Sequence, residues 1–149
     1  MADPLRKPDY GPSKLHPTAG ATAVGAREPL IAFNVNLDTA NVKIARSIAR
    51  AIRESSGGLK HVQAKGIFIE ETGLAQVTMN LLDYRATSIS QVLQKIEEVA
   101  LLKNTCIKDS EIIGLLPLDA LLEVATARMK LASFSKERQI LDLVDFDKE

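Results

Sequence analysis

Tryptophan is absent, and aromatic residues make up only 4% of the 149 positions. That scarcity argues against a stacked-ring platform for single-stranded nucleic acid. Cys106 is the only cysteine, so no internal disulfide is available, and no Cys/His cluster has zinc spacing. A reducing, cytoplasmic setting and the absence of a metal site are the corresponding expectations. Neither sign of charge dominates: 19 basic residues face 19 acidic ones. A balanced chain gives no electrostatic case for nucleic acid as a partner. Long apolar runs are missing too. None approaches the roughly 20 residues of a membrane helix, and MADPLRKPDY has no signal-peptide core. What is present is a 46% hydrophobic content, enough for the core of one domain.

The chain is organised around the stretch from Lys7 to Asn36. Met1 to Gly25 holds Pro4, Pro8, Pro12 and Pro17 with Gly11, Gly20 and Gly25. Proline removes donors and glycine costs entropy, so this part reads as an extended lead-in whose first residues are unstructured. Glu28 to Leu37 then reads as a strand, nearly continuously apolar and hence covered on both faces. A small-residue loop anchored by a strand lets backbone come close to a ligand.

Asp38 or Thr39 offers an N-cap for a helix running to about Glu54. Val42, Ile44, Ala45, Ile48, Ala49 and Ile52 form its apolar stripe, with Lys43, Arg46, Arg50 and Arg53 outward. Val62–Glu70 and Ala75–Leu82 read as two strands joined by a turn at Glu71-Thr72-Gly73. Ser88 caps a second helix carrying Ile89, Val92, Leu93, Ile96 and Val99. Thr105 to Leu115 reads as a fourth strand, with a bulge or bend at Lys108-Asp109-Ser110. A third helix follows Pro117, and Glu137 to Val144 reads as a short terminal helix. The order strand, helix, strand, strand, helix, strand, helix predicts an α+β fold: a ferredoxin-like βαββαβ sandwich with an extra C-terminal helix. Such a sheet has one bare face. The alternation places Gln63, Lys65, Gln76, Thr78 and Asn80 on it, for solvent or for another domain.

Catalytic residues are hard to find in this pattern. His16 lies in the Gly/Pro loop, either reaching a ligand or simply exposed. His61 begins a strand and reads as surface. Neither histidine has a spaced partner resembling a nucleophilic triad. Ser13 and Ser110 lack an activating base, Cys106 reads as buried packing in a strand, and Glu70-Glu71 reads as solvated hairpin. Asp9, Tyr10, Lys14, His16 and Thr18 are interleaved with glycine and proline. They suit a flat, polar-edged ligand with anionic groups, or else form a plain linker.

Several blocks carry a resemblance. They are Pro8-Asp9-Tyr10-Gly11-Pro12, His16 through Arg27, Leu30 through Leu37, Val62 through Gly66, Leu74 through Leu81 and Ser110 through Pro117. In this order they resemble the second subdomain of the formiminotransferase domain of glutamate formimidoyltransferases and formimidoyltransferase-cyclodeaminases. The resemblance implies transfer of a formimino group between N-formimino-L-glutamate and tetrahydrofolate, in histidine degradation. It implies two similar subdomains with folate in the tunnel between them. It divides the chain into a lead-in and folate-binding loop, 1–27, and a C-terminal subdomain, 28–149. The folate-contacting residues fall on Asp9, Tyr10, Gly11, Pro12, Ser13, Lys14, Leu15, His16, Pro17 and Thr18. Asp9 would meet the amidine-like edge of the pterin, and Lys14 or Arg27 the glutamate carboxylates.

The family's catalytic histidine belongs to the first subdomain, so the resemblance implies no catalytic residue here and an N-terminal subdomain as partner. Two further readings are a non-enzymatic folate-binding or interaction module and a remnant without a ligand. Exposure of the polar face would favour a homodimer through it.

Overall fold

The computed structural model describes residues 7–141. Four strands, β1 (Ile31–Leu37), β2 (Val62–Ile69), β3 (Leu74–Leu81) and β4 (Ile107–Ile113), form one antiparallel sheet. Its order is β2-β3-β1-β4. Helices α1 (Val42–Ile52) and α2 (Ile89–Leu101) link β1 to β2 and β3 to β4, each crossing over one intervening strand. This is the ferredoxin-like sandwich, and α3 (Leu118–Met129) is the extra helix. A short α4 (Lys136–Gln139) stands at the start of the expected terminal helix, Glu137 to Val144; extended backbone at Ile140 ends it, and residues 142–144 of that expectation lie outside the described residues.

The core sits between the helices and one sheet face. Alternate residues of β1, Ile31, Phe33, Val35 and Leu37, are buried beside Ala75, Val77, Met79 and Leu81 of β3. From α1 come Ala45, Ile48, Ala49 and Ile52, and from α2 Ile89, Val92, Ile96 and Ala100. These spacings are one helical face each, so burying them fixes both helices on the sheet. Gly66 of β2 sets the distance: a Cβ there would collide with the backbone of Ala45 and Arg46. Only glycine lets α1 lie directly on that strand.

Several boundaries differ from expectation for local reasons. The N-cap of α1 is Asn41, whose Oδ1 accepts the Lys43 N–H at 3.0 Å. Asp38 and Thr39 are already committed to the sheet, donating to the Cys106 carbonyl and accepting from the Ala75 N–H, both through backbone atoms. The helix therefore starts two to three residues later. It also ends earlier, at Ile52, and a single 3-10 turn over Glu54–Ser56 closes on Gly57. Ser88 caps α2 as expected, with a reciprocal bond from the Ser88 N–H to Gln91. The β1–β4 register slips between Asn36 and Leu37, so Lys108 is the extra residue of a bulge at the expected place. Gly73, at φ +67°, closes the β2–β3 turn as expected.

Candidate functional site: the bare face of the sheet

The pairing register fixes which side chains share the uncovered face, because directly opposed residues of antiparallel strands point the same way. One row runs Lys65–Thr78–Asn34–Glu111 across β2, β3, β1 and β4. The next runs Ile67–Gln76–Asn36–Asp109, and the row on the other side begins Gln63–Asn80–Ala32–Ile113. All five residues expected on this face are there. Asn34, Asn36, Asp109 and Glu111 were missed. The reading of β1 as covered on both faces is corrected: its residues alternate between buried and half-buried, with Asn34 and Asn36 at two of the half-buried positions. The signal was present as asparagines two apart in a strand, hidden within an apolar stretch.

These side chains form a hydrogen-bonded network. Asn34 Nδ2 donates to Glu111 Oε1 at 3.0 Å. Gln76 Nε2 donates to the same oxygen at 3.1 Å and to Asn36 Oδ1 at 2.9 Å. Asn36 Nδ2 donates to Asp109 Oδ1 at 2.6 Å. Gln76, only 5% exposed, is the pivot. Its amide would be left without partners if Glu111 and Asn36 were removed, so the network orders itself. Each carboxylate is held through one oxygen by amide N–H groups. Its second oxygen remains an acceptor for a ligand bearing N–H groups. On the β2 side, Gln63, Lys65, Thr78 and Asn80 contribute to a shallow hollow of about 240 Å³.

The loop 7–29 is exposed almost throughout, with Tyr10 94% exposed. Among the described residues no hydrogen bond joins it to the sheet. It enters β1 at Ile31, whose partner is Leu81, so it reaches the sheet at the Asn80 end of the face. Asp9, Tyr10, Gly11, Pro12, Ser13, Lys14, Leu15, His16, Pro17 and Thr18 thus stand on a projecting segment and are not gathered into a pocket. Its one internal fastening lies at residues 16–20, where His16 and Gly20 exchange backbone hydrogen bonds of 3.3 and 3.1 Å.

The remaining sequence candidates fall elsewhere. His61 adopts φ +60° and gives its N–H to Glu54 Oε2 at 2.9 Å, while its carbonyl accepts from Leu82. It closes the turn into β2 and is absent from the bare face. Cys106 is exposed and lies one residue before β4, which corrects the expectation of a buried strand thiol. Early strand bonding at Asp38 holds only its carbonyl. Ser110 is exposed on the opposite side of β4 from the network, and Glu70 and Glu71 are exposed at the hairpin. Among the described residues no group of three His, Cys, Asp or Glu side chains is placed to hold a metal. No helix among them is long and apolar enough to cross a membrane.

The family model of the formiminotransferase domain matches residues 32–144, from β1 to beyond α4. The chain belongs to the formiminotransferase family. It is 46% identical over 135 residues to a glutamate formimidoyltransferase of Streptococcus pyogenes serotype M1, covering 91% of this chain and 45% of that protein. A glutamate formimidoyltransferase of Thermoplasma acidophilum is 41% identical, with 87% and 43% covered. The formimidoyltransferase-cyclodeaminase of Mus musculus is 43% identical over 124 residues, 79% of this chain and 23% of that protein. The chain therefore spans less than half the length of these relatives. Within this formiminotransferase chain, 91% coverage leaves too few residues outside to omit the 7–29 loop entirely.

Proposed function

We propose that this chain supplies the C-terminal half of a glutamate formimidoyltransferase, which moves a formimino group between N-formimino-L-glutamate and tetrahydrofolate in histidine degradation. One observation carries the reading: the chain aligns over nine tenths of itself with less than half of a glutamate formimidoyltransferase. The bare sheet face supports it physically. Two carboxylates braced by side-chain amides, Gln76 buried and Asn34 and Asn36 half-buried, suit one wall of a cleft, and a cleft needs a second.

In this reading residues 1–27 are the lead-in with the folate-contacting segment, and 28–149 are the subdomain that carries the wall. Asp9 accepts from the amidine-like edge of the pterin, and Lys14 or Arg27 pairs with the carboxylates of the glutamate tail. Glu111 and Asp109 suit the transferred group. A formimino nitrogen carries N–H donors, and an ordered carboxylate accepts them without having to be reorganised. The proton donor comes from the missing N-terminal half. General acid catalysis needs a group within hydrogen-bond reach of the reacting atom. Neither histidine of this chain lies on the wall. A cytoplasmic setting belongs to the same reading.

Transfer assays with each half alone and with both mixed test this. The expected result is activity in the mixture only. Activity of this chain by itself contradicts the division of labour. If the mixture binds tetrahydrofolate without transfer, the chain is a non-enzymatic folate-binding module, the reading that the histidine-free wall favours. Asp9→Ala at unchanged tetrahydrofolate affinity removes the role given to Asp9.

A further inference from the structure

Strand β2 is an outer edge of the sheet, on the opposite side from β4. Its free backbone groups can be named. The His61 carbonyl accepts the Leu82 N–H at 2.8 Å, and Val62 lies opposite Leu81. Hydrogen-bonded pairs alternate along an antiparallel ladder. Gln63, Lys65, Ile67 and Ile69 therefore bond to β3, while Val62, Ala64, Gly66 and Phe68 turn their N–H and C=O groups outward. Phe68 is also 45% exposed.

Helix α1 rests directly over this strand, at Gly66. Successive helical residues turn by about 100° around the axis. Half-buried Ile44 and Ala51 thus flank the buried stripe on the side of α2, and Arg46, Arg50 and Arg53 flank it on the other. The three arginines overhang the outer edge of β2. No acidic residue occurs between Asp38 and Glu54, and among the described residues no carboxylate forms an ion pair with these arginines. Acidic groups stand only at the two ends of the edge: Glu54, whose Oε2 accepts the His61 N–H, and Glu70 at the hairpin. A hollow of about 440 Å³ opens along the first half of the edge, between Arg53 and Ser55 above and Val62 and Ala64 below.

We propose that the outer edge of β2, beneath the arginine flank of α1, is a docking strip for an extended acidic segment of another protein, which adds to the sheet as a further strand. Free ladder groups supply the pairing, and the arginines select carboxylates on the helix side of the added strand. A second copy of this chain does not fit. Neighbouring strands stand about 4.8 Å apart, whereas packed helices need about 8–10 Å. Pairing β2 with β2 would crowd two α1 helices together, arginine flank against arginine flank. A segment without a helix of its own meets neither obstacle.

The probe is a blocked peptide of alternating aspartate and valine, titrated into the nitrogen-15-labelled chain. Binding is expected to slow amide exchange at Ala64, Gly66 and Phe68, while Lys65 and Ile67, already bonded to β3, change little. Arg46→Ala/Arg50→Ala should weaken binding about tenfold. Both sites are exposed and alanine favours helix, so the unfolding midpoint should hold. The same peptide with alternate backbone amides methylated, which removes its ladder donors, should bind at least as weakly as the double variant binds the parent. No binding of the aspartate peptide overturns the strip. Equal binding of a lysine–valine peptide, or unchanged affinity in the double variant, overturns the choice of an acidic partner. Full affinity of the methylated peptide, or equal affinity for an oligothymidylate, overturns strand addition and leaves a general anion-attracting flank.

Discussion

Gly66 and Gln76 show how much single side chains decide here. At Gly66 the missing Cβ is what allows α1 to rest on β2. Gly66→Ala must push the helix away from a filled core, and a loss of about 3 kcal/mol is expected in urea unfolding. A midpoint equal to wild type would mean that α1 moves freely on the sheet. Gln76 is a polar residue kept almost wholly buried, with one Nε2 serving two acceptors on neighbouring strands. Gln76→Met keeps the volume and deletes the amide. The expected cost is about 1–2 kcal/mol for the two lost hydrogen bonds. On the proposed function, loss of transfer in the mixture of halves should exceed what that unfolding accounts for, because Glu111 loses one of its two amide braces. Parallel urea titrations and initial rates would reveal whether the two effects separate.

At the scale of elements, each helix is fixed by a different balance. The first has Asn41 at its start and four buried positions on one face. α2 adds the reciprocal Ser88–Gln91 cap, while the Thr87 hydroxyl donates to the Lys60 carbonyl at 2.7 Å and ties its start to the entry of β2. Ser88→Ala is expected to cost about 1 kcal/mol, read from the unfolding midpoint. Full retention of stability would show that packing alone sets that terminus. By contrast α3 buries only Ala120 and leaves Leu118, Leu121 and Met129 exposed. Half-buried Val124 joins Ala120 against the core, and exposed polar contacts add to this, Arg128 to Glu97 at 2.6 Å and Lys136 of α4 to Asp119 at 2.6 Å. The hydrogen bond to Asp119 raises the Lys136 ammonium above its ordinary value. A raised lysine keeps its contact at neutral pH and loses it as pH climbs past the ordinary lysine range. The α3–α4 end should therefore loosen first in strong alkali, seen as faster backbone exchange at Lys136 and Arg138 than in α2. Exposed ion pairs contribute little, so global stability should barely change.

Across the described residues, the helices shield one sheet face and leave the other bare. A second copy is a poor candidate at the β4 edge. Symmetric antiparallel pairing centred on Ser110 would set Asp109 opposite Glu111, and like charges directly opposed are unfavourable. The β2 edge and the bare face remain as the surfaces on which association is to be tested. Sedimentation of the 149-residue chain before and after adding the first half of a relative is expected to show one-to-one association with that half. A stable homodimer that the half cannot disrupt would point to self-pairing through the polar face.

The order of elements, the core positions, the Ser88 cap, the Gly73 turn and the bulge near Lys108 were legible from the chain because each rests on neighbours in sequence: periodicity, a capping hydroxyl, a glycine, a polar break in a strand. The polar identity of two β4 residues and two β1 residues as one surface was not legible. Asn34 and Glu111 lie 77 positions apart and meet only because the crossover through α2 lays β4 beside β1. Likewise a histidine in a Gly/Pro loop is visible in the sequence, but the local contact of its Nδ1 is set by where the backbone of Thr18 and Ala19 comes to rest. Local chemistry chose the elements; hydrogen bonds between distant strands gathered the polar face.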